Sequence, residues 1–118
     1  MNRCQHCQSA MTVSRLECTA CGLGVEGRFA TPRLARLTAE DQHLIESFVL
    51  CGGSLKTLAE QLSITYPTVR KRVDAVIERV QMLQSADERQ TEAWLKSVEG
   101  GEMSPEMASR LIREQAYG

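Results

Sequence analysis

Two Cys-x-x-Cys pairs in the first 21 residues and a run of capped amphipathic segments after Thr38 predict a small zinc ribbon followed by a mostly α chain. Within the helical part, two segments meeting at Ser63-Ile64 predict a helix-turn-helix bundle, and the end of the chain reads as a two-helix hairpin. The expected boundaries are a zinc ribbon over 1–30, a connector over 31–37, a helix-turn-helix domain over 38–84 and a C-terminal helical hairpin over 85–118.

The metal expectation rests on spacing. Cys4-Gln5-His6-Cys7 and Cys18-Thr19-Ala20-Cys21 are separated by ten residues. Each pair offers two thiolates from one tight turn, and two such turns facing one another complete a tetrahedral S4 site. The spacer from Gln8 to Glu17, with Met11 and Val13 alternating with polar neighbours, is expected to form a short hairpin that brings the pairs together. Gly22 follows the second pair, where a tight turn favours a residue free to take positive φ. Zinc is the expected ion, one per chain, and four cysteines fill its shell, so the site is structural. Iron–sulfur or rubredoxin-type iron is the alternative for the same ligands. His6 reads as an exposed bystander and Cys51 as a small buried thiol.

Composition agrees. Aromatic content of 4% leaves a small N-terminal module little bulk to bury, and a metal is one substitute for a core. No apolar run approaches a membrane span and the N-terminus does not read as a signal peptide, so the expectation is a cytoplasmic protein without a membrane partner. In that compartment paired cysteines more often mean metal than disulfide.

The helices follow from their caps. Thr38 precedes Ala39-Glu40-Asp41, and Leu44, Ile45, Phe48 and Val49 form an apolar stripe up to Gly52-Gly53. Ser54 caps a second helix bearing Leu55, Leu58, Ala59 and Leu62. Thr65 caps a third, with Pro67 in its first turn and a seam of Val69, Val73, Val76, Val80 and Leu83. Trp94, Leu95 and Val98 precede Gly100-Gly101. Ser104-Pro105-Glu106 then opens a last helix carrying Met107, Ala108, Leu111 and Ile112.

Charge confines any nucleic-acid surface. Residues 1–37 carry five Lys/Arg against two Asp/Glu, residues 38–83 five against six, and residues 84–118 four against seven. The acidic end is a poor phosphate binder. The third helix offers Arg70, Lys71 and Arg72 within two turns of its cap, beside Thr65, Tyr66 and Thr68. These six are the expected contacts to double-stranded DNA. Asp74 and Glu78 follow on the same outward face and would repel phosphates, so only the start of this helix enters a groove.

The stretch from Leu58 to Arg70, LAEQLSITYPTVR, resembles the helix-turn-helix of LuxR-type regulators and sigma-factor region four. The chain as a whole resembles a bacterial family classed as a domain of unknown function, which joins an N-terminal zinc ribbon to such a helix-turn-helix. Val25-Glu26-Gly27-Arg28-Phe29, the connector from Pro32 to Leu37 and Tyr66-Pro67-Thr68-Val69-Arg70 carry that resemblance. It implies a bacterial cytoplasmic protein with a regulatory role. The tail, through Glu99-Gly100-Gly101-Glu102-Met103-Ser104, is similar to a short two-helix module found on several bacterial protein types. Ser63 departs from the broader pattern, which usually has glycine in the turn. If that position requires positive φ, serine there is strained by ~1 kcal/mol.

The sequence thus points to a DNA-binding transcriptional regulator. The alternative is a zinc-ribbon adaptor that docks on another protein, for example transcription machinery, and the net charge of −1 keeps that alternative open. An enzyme is not expected, because His6 and His43 have no nucleophile or carboxylate constellation and no phosphate-cradling glycine loop is present. A homodimer is expected through the third helix, the C-terminal hairpin or both, since Val76, Val80, Leu83, Trp94, Leu95, Val98, Leu111 and Ile112 exceed what one small core covers; the alternative is a monomer whose tail folds back on the third helix. The C-terminal helices are also the expected contact for a protein partner.

Overall fold

The computed structural model describes residues 3–117. Strands β1 (Val13–Glu17) and β2 (Gly24–Phe29) form an antiparallel hairpin, followed by helices α1 (Ala39–Leu50), α2 (Leu55–Leu62), α3 (Tyr66–Glu99) and α4 (Pro105–Tyr117). A single 3-10 turn, Arg33–Arg36, lies in the connector. The class is the expected one: a small ribbon, then helices. Among the described residues no helix is long and apolar enough to cross a membrane.

The hairpin sits elsewhere than expected. The spacer between the cysteine pairs does not fold on itself. Its second half is β1, which pairs with the segment after Cys21, in the register Leu16 to Val25 and Glu17 to Gly24. Cys18 and Cys21 therefore occupy the hairpin tip. An isolated bridge between Arg3 and Ala10 closes a smaller loop around Cys4 and Cys7. Of the alternating pair, Val13 opens β1 and Met11 lies before it, and the partner strand is the one beyond the second pair.

Each helix begins where its cap places it. The hydroxyls of Thr38, Ser54, Thr65 and Ser104 accept from the backbone N–H of Asp41, Thr57, Thr68 and Met107. Helix α1 ends as Gly52 and Gly53 take φ of 66° and 81°. Ser63 ends α2 at φ 56°, ψ 41°, so the turn does require the left-handed conformation and serine supplies it. Its N–H donates to the Glu60 carbonyl and that of Ile64 to Ala59, which closes the helix end.

The core lies between α1, α2 and the start of α3. Leu58 and Val69 are fully buried, Ala59 nearly so, and Leu44, Phe48, Cys51, Leu55, Leu62, Ile64 and Val73 pack around them. Ala59, small and 5% exposed, and Ile64, in the turn, both pack in this cluster.

Helix α3 departs from the sequence reading in length. It runs unbroken for 34 residues, roughly 50 Å at 1.5 Å per residue, against a longest molecular extent of 54 Å. The position between residues 84 and 85 lies inside it, and the first arm of the C-terminal hairpin is the end of this same helix. Helix α4 folds back along that end, where Thr91 donates to Gln115 at 2.8 Å. Ala108 becomes buried there, and Trp94, Val98, Leu111 and Ile112 half-buried. Part of the apolar surplus thus finds a home within the chain, while Leu95, Ile77 and Met82 stay exposed.

Candidate metal centre and nucleic-acid interface

The two cysteine turns have the same construction. In the first, Cys4 N–H donates to the Ser9 carbonyl at 2.8 Å and Gln8 N–H to Cys4 at 2.9 Å. In the second, Cys18 N–H donates to Leu23 at 2.8 Å and Gly22 N–H to Cys18 at 2.9 Å. The residue after each second cysteine is left-handed, Gln8 at φ 63° and Gly22 at φ 77°. Each turn folds its backbone N–H groups toward a sulfur, as when His6 N–H meets Cys4 Sγ at 3.3 Å.

That environment favours thiolates. Hydrogen bonds from Ser9, its side chain first and then its backbone, and from Cys4 hold the Cys7 thiol below its ordinary value. Backbone donors of Cys21 and then Ala20 do the same for Cys18. Two pairs of soft sulfur donors on backbone-braced turns are the donor set zinc takes, so the residues fit such an ion. Cys4 is brought to Cys7, and Cys18 to Cys21. Among the described residues the two pairs are not gathered into one four-ligand cage. Drawing the pairs together is the cation's own contribution in modules where metal binding and folding are coupled. His6 is exposed, and Cys51 is half-buried with its thiol donating to Gln61 Oε1 at 2.9 Å.

At the other candidate site, the core holds α3 by Val69 and leaves its first turns in solvent. Tyr66 is exposed, as are Thr68, Arg70, Lys71 and Arg72. Thr65 and Thr68 share a 2.8 Å hydrogen bond between their hydroxyls while Thr65 also caps the helix, so part of their bonding capacity serves the helix itself. Two of the three bases, Arg70 and Arg72, diverge. Arg70 pairs with Asp74 at 3.3 Å and borders an apolar groove of about 520 Å³ with Ile45, Phe48, Ile77 and Val80. Arg72 lines a second cleft of about 500 Å³, on the side of Thr38, His43, Leu44 and Val76. Two exposed partners a turn apart make the Arg70 pair weak, and phosphate would compete for the guanidinium.

Two buried carboxylates escaped the sequence reading. Asp41, an acid in the first turn of α1, accepts from Arg79 through both oxygens at 2.6 Å. The Arg79 hydrogen bonds, against the opposing effect of burial and with the help of its charge, hold Asp41 below the ordinary carboxylate range. Asp87, in the acidic end of the chain, accepts from Arg33 at 3.0 Å and Arg36 at 2.6 Å. Burial alone would raise its pKa, but the hydrogen bonds from Arg36 and then Arg33 outweigh it, and the carboxyl is lowered. Periodicity held one signal: Asp87 lies four residues past Leu83, the next position of the seam.

Residues 4–35 match the family model described as the DUF2089 zinc ribbon, and residues 37–83 that of the domain of unknown function (DUF2089)-HTH. No curated protein and no solved structure matches the chain.

Proposed function

The chain belongs to the DUF2089 family, in which a zinc ribbon precedes a helix-turn-helix, and from that premise we propose that it is a DNA-binding transcriptional regulator. The observation that carries the reading is the start of α3, where a fully buried Val69 anchors a helix end exposing Tyr66, Thr68, Arg70, Lys71 and Arg72. Thr65 sets the helix start, and the three bases supply phosphate and base-edge contacts. One zinc ion per chain, held by Cys4, Cys7, Cys18 and Cys21, braces the ribbon and takes no part in chemistry. The protein acts by binding, in the cytoplasm, and not as an enzyme.

Selection of bound sequences from random double-stranded DNA, with zinc-loaded protein, tests this directly. A motif is expected, with affinity falling steeply as salt rises. Replacing Arg70 and Lys71 together by alanine abolishes binding with helicity unchanged, because neither side chain belongs to the core. Unchanged affinity in that variant would remove α3 as the reader.

A second reading, docking on a protein, draws support from the apolar groove lined by Ile45, Phe48, Ile77 and Val80 and from the near-neutral charge. Enrichment of no DNA motif, together with DNA-independent capture of one defined protein, would favour it. We read the regulator as a homodimer, paired through exposed Ile77 and Met82 on α3 or through the C-terminal hairpin, which sets two reading helices on one palindrome. Sedimentation giving a clean 13.1 kDa species at micromolar concentration overturns the dimer.

A further inference from the structure

Asp87 occupies a place where the seam of α3 calls for an apolar side chain. Val69, Val73, Val76, Val80 and Leu83 precede it at spacings of four and three, and Trp94 and Val98 resume the same face beyond it. Asp87 is only 6% exposed there. A buried ion pair seldom adds more stability than well-packed apolar residues of similar volume, so a geometric role is the better reason for a charge at this point.

The geometry supplies one. Both cations on Asp87 come from the connector, Arg33 and Arg36, across more than fifty residues of sequence. Leu37, directly after them, is buried at 3% exposure. Gln42 of α1 donates to the carbonyls of Ala35 and Leu37, so the connector is held from a second side. Upstream, only Ala30, Thr31 and Pro32 separate Arg33 from the end of β2, and proline fixes one of those three. A grip on Arg33 therefore reaches the ribbon with little slack. Arg33 also falls within the ribbon segment itself, while Asp87 lies beyond the end of the helix-turn-helix segment at residue 83.

We propose that Asp87 is a positioning residue that fastens the cysteine ribbon to the far half of α3, so that ribbon and helices move as one body. The second half of α3 is then no independent tail. It is the post on which the ribbon is set, and the ribbon's orientation relative to Lys71 depends on residues outside the helix-turn-helix.

Backbone ¹⁵N relaxation on the zinc-loaded full-length protein tests this without DNA, so its outcome is separate from that of the regulator reading. In the unaltered chain the amides of β1 and β2 and those of α3 share one rotational correlation time. Asp87→Asn shortens the ribbon value by roughly a third or more, toward that of a small module on a tether, while α3 keeps its own. The double variant Arg33→Gln/Arg36→Gln gives the same split from the other partner, and Asp87→Glu largely restores common tumbling. A merely structural pair would lower the melting temperature and leave the ratio of the two times untouched. A single shared time in both variants overturns the proposal, and so does loss of helical signal in both, which would mean that the pair holds α3 and not the ribbon.

Discussion

The ribbon and the helix-turn-helix are both small, yet they are held by different forces. Around Leu58 and Val69 the helices bury apolar side chains completely, whereas every residue of β1 is exposed and Leu16 and Val25, paired across the hairpin, are each about half in water. The ribbon relies on backbone hydrogen bonds at its two cysteine turns and, in the proposed holo form, on its ion. A two-stranded hairpin alone is marginal in water. The difference teaches that the helices rest on burial and the ribbon on little of it, so that, if the proposed ion binds, the two parts answer to different perturbations.

The largest effect follows from that division. Chelation, or Cys4→Ser or Cys21→Ser, should unfold residues 1–30 outright, because binding and folding are one process there. The helices should keep most of their circular-dichroism signal. Leu58→Ala should do the reverse, costing the helical part roughly 2–5 kcal/mol by cavity formation while the ribbon keeps its metal. Elemental analysis and thermal melts of the variants separate the two outcomes. Freshly purified, reduced protein free of metal would sink the zinc expectation, and helices that melt together with the ribbon would deny the division.

The buried carboxylates give an intermediate effect. Asp41→Ala should cost roughly 1–3 kcal/mol, toward the lower end because the freed Arg79 is half-exposed and regains water. Asp41 and Asp87 both have folded pKa values below the ordinary one, so their stabilisation is complete above about pH 3.9 and is lost as pH falls through the depressed values. Helix melting should therefore be level from neutral pH to about 5 and fall in acid, with a shallower fall in Asp41→Asn/Asp87→Asn. An identical acid slope in that variant would assign the loss to other groups.

What the sequence disclosed and what it hid divide along the same physical line. Caps, stripes and the cysteine turns are local patterns, and Thr38, Ser54, Thr65, Ser104 and the core around Leu58 were legible for that reason. The pairing of β1 with the strand beyond Cys21 was not, since alternation in a strand names no partner. Nor was the full length of α3 legible. Its apolar seam is broken by Asp87, and the charge that breaks it makes sense only beside Arg33 and Arg36 from the connector. At the start of α3, three consecutive bases could be found in the sequence, but the divergence of Arg70 and Arg72 into separate grooves depends on α1 and on Asp74.

The smallest predicted effect concerns Ser63. Among the described residues, three helix ends close with the same pair of backbone bonds: Gly52 and Gly53 donate to Val49 and Phe48, Ser63 and Ile64 to Glu60 and Ala59, Gly101 and Glu102 to Val98 and Ser97. The left-handed residue has φ of 66°, 56° and 74° in turn. Two of these ends use glycine, and the one inside the helix-turn-helix uses serine. A side chain at that φ costs ~1 kcal/mol, while glycine gives part of this back by loosening the unfolded chain. Ser63→Gly should therefore stabilise the helical part by about 0.5 kcal/mol, raising its melting temperature by roughly 2–4 °C. Because glycine adopts the same turn, the angle between α2 and α3 and the affinity for any selected DNA site should not change. Ser63→Val should lower stability by more than glycine raises it, since a β-branched residue tolerates positive φ poorly. Equal melting temperatures for serine and glycine would show that the turn is unstrained and that serine at this position is neutral.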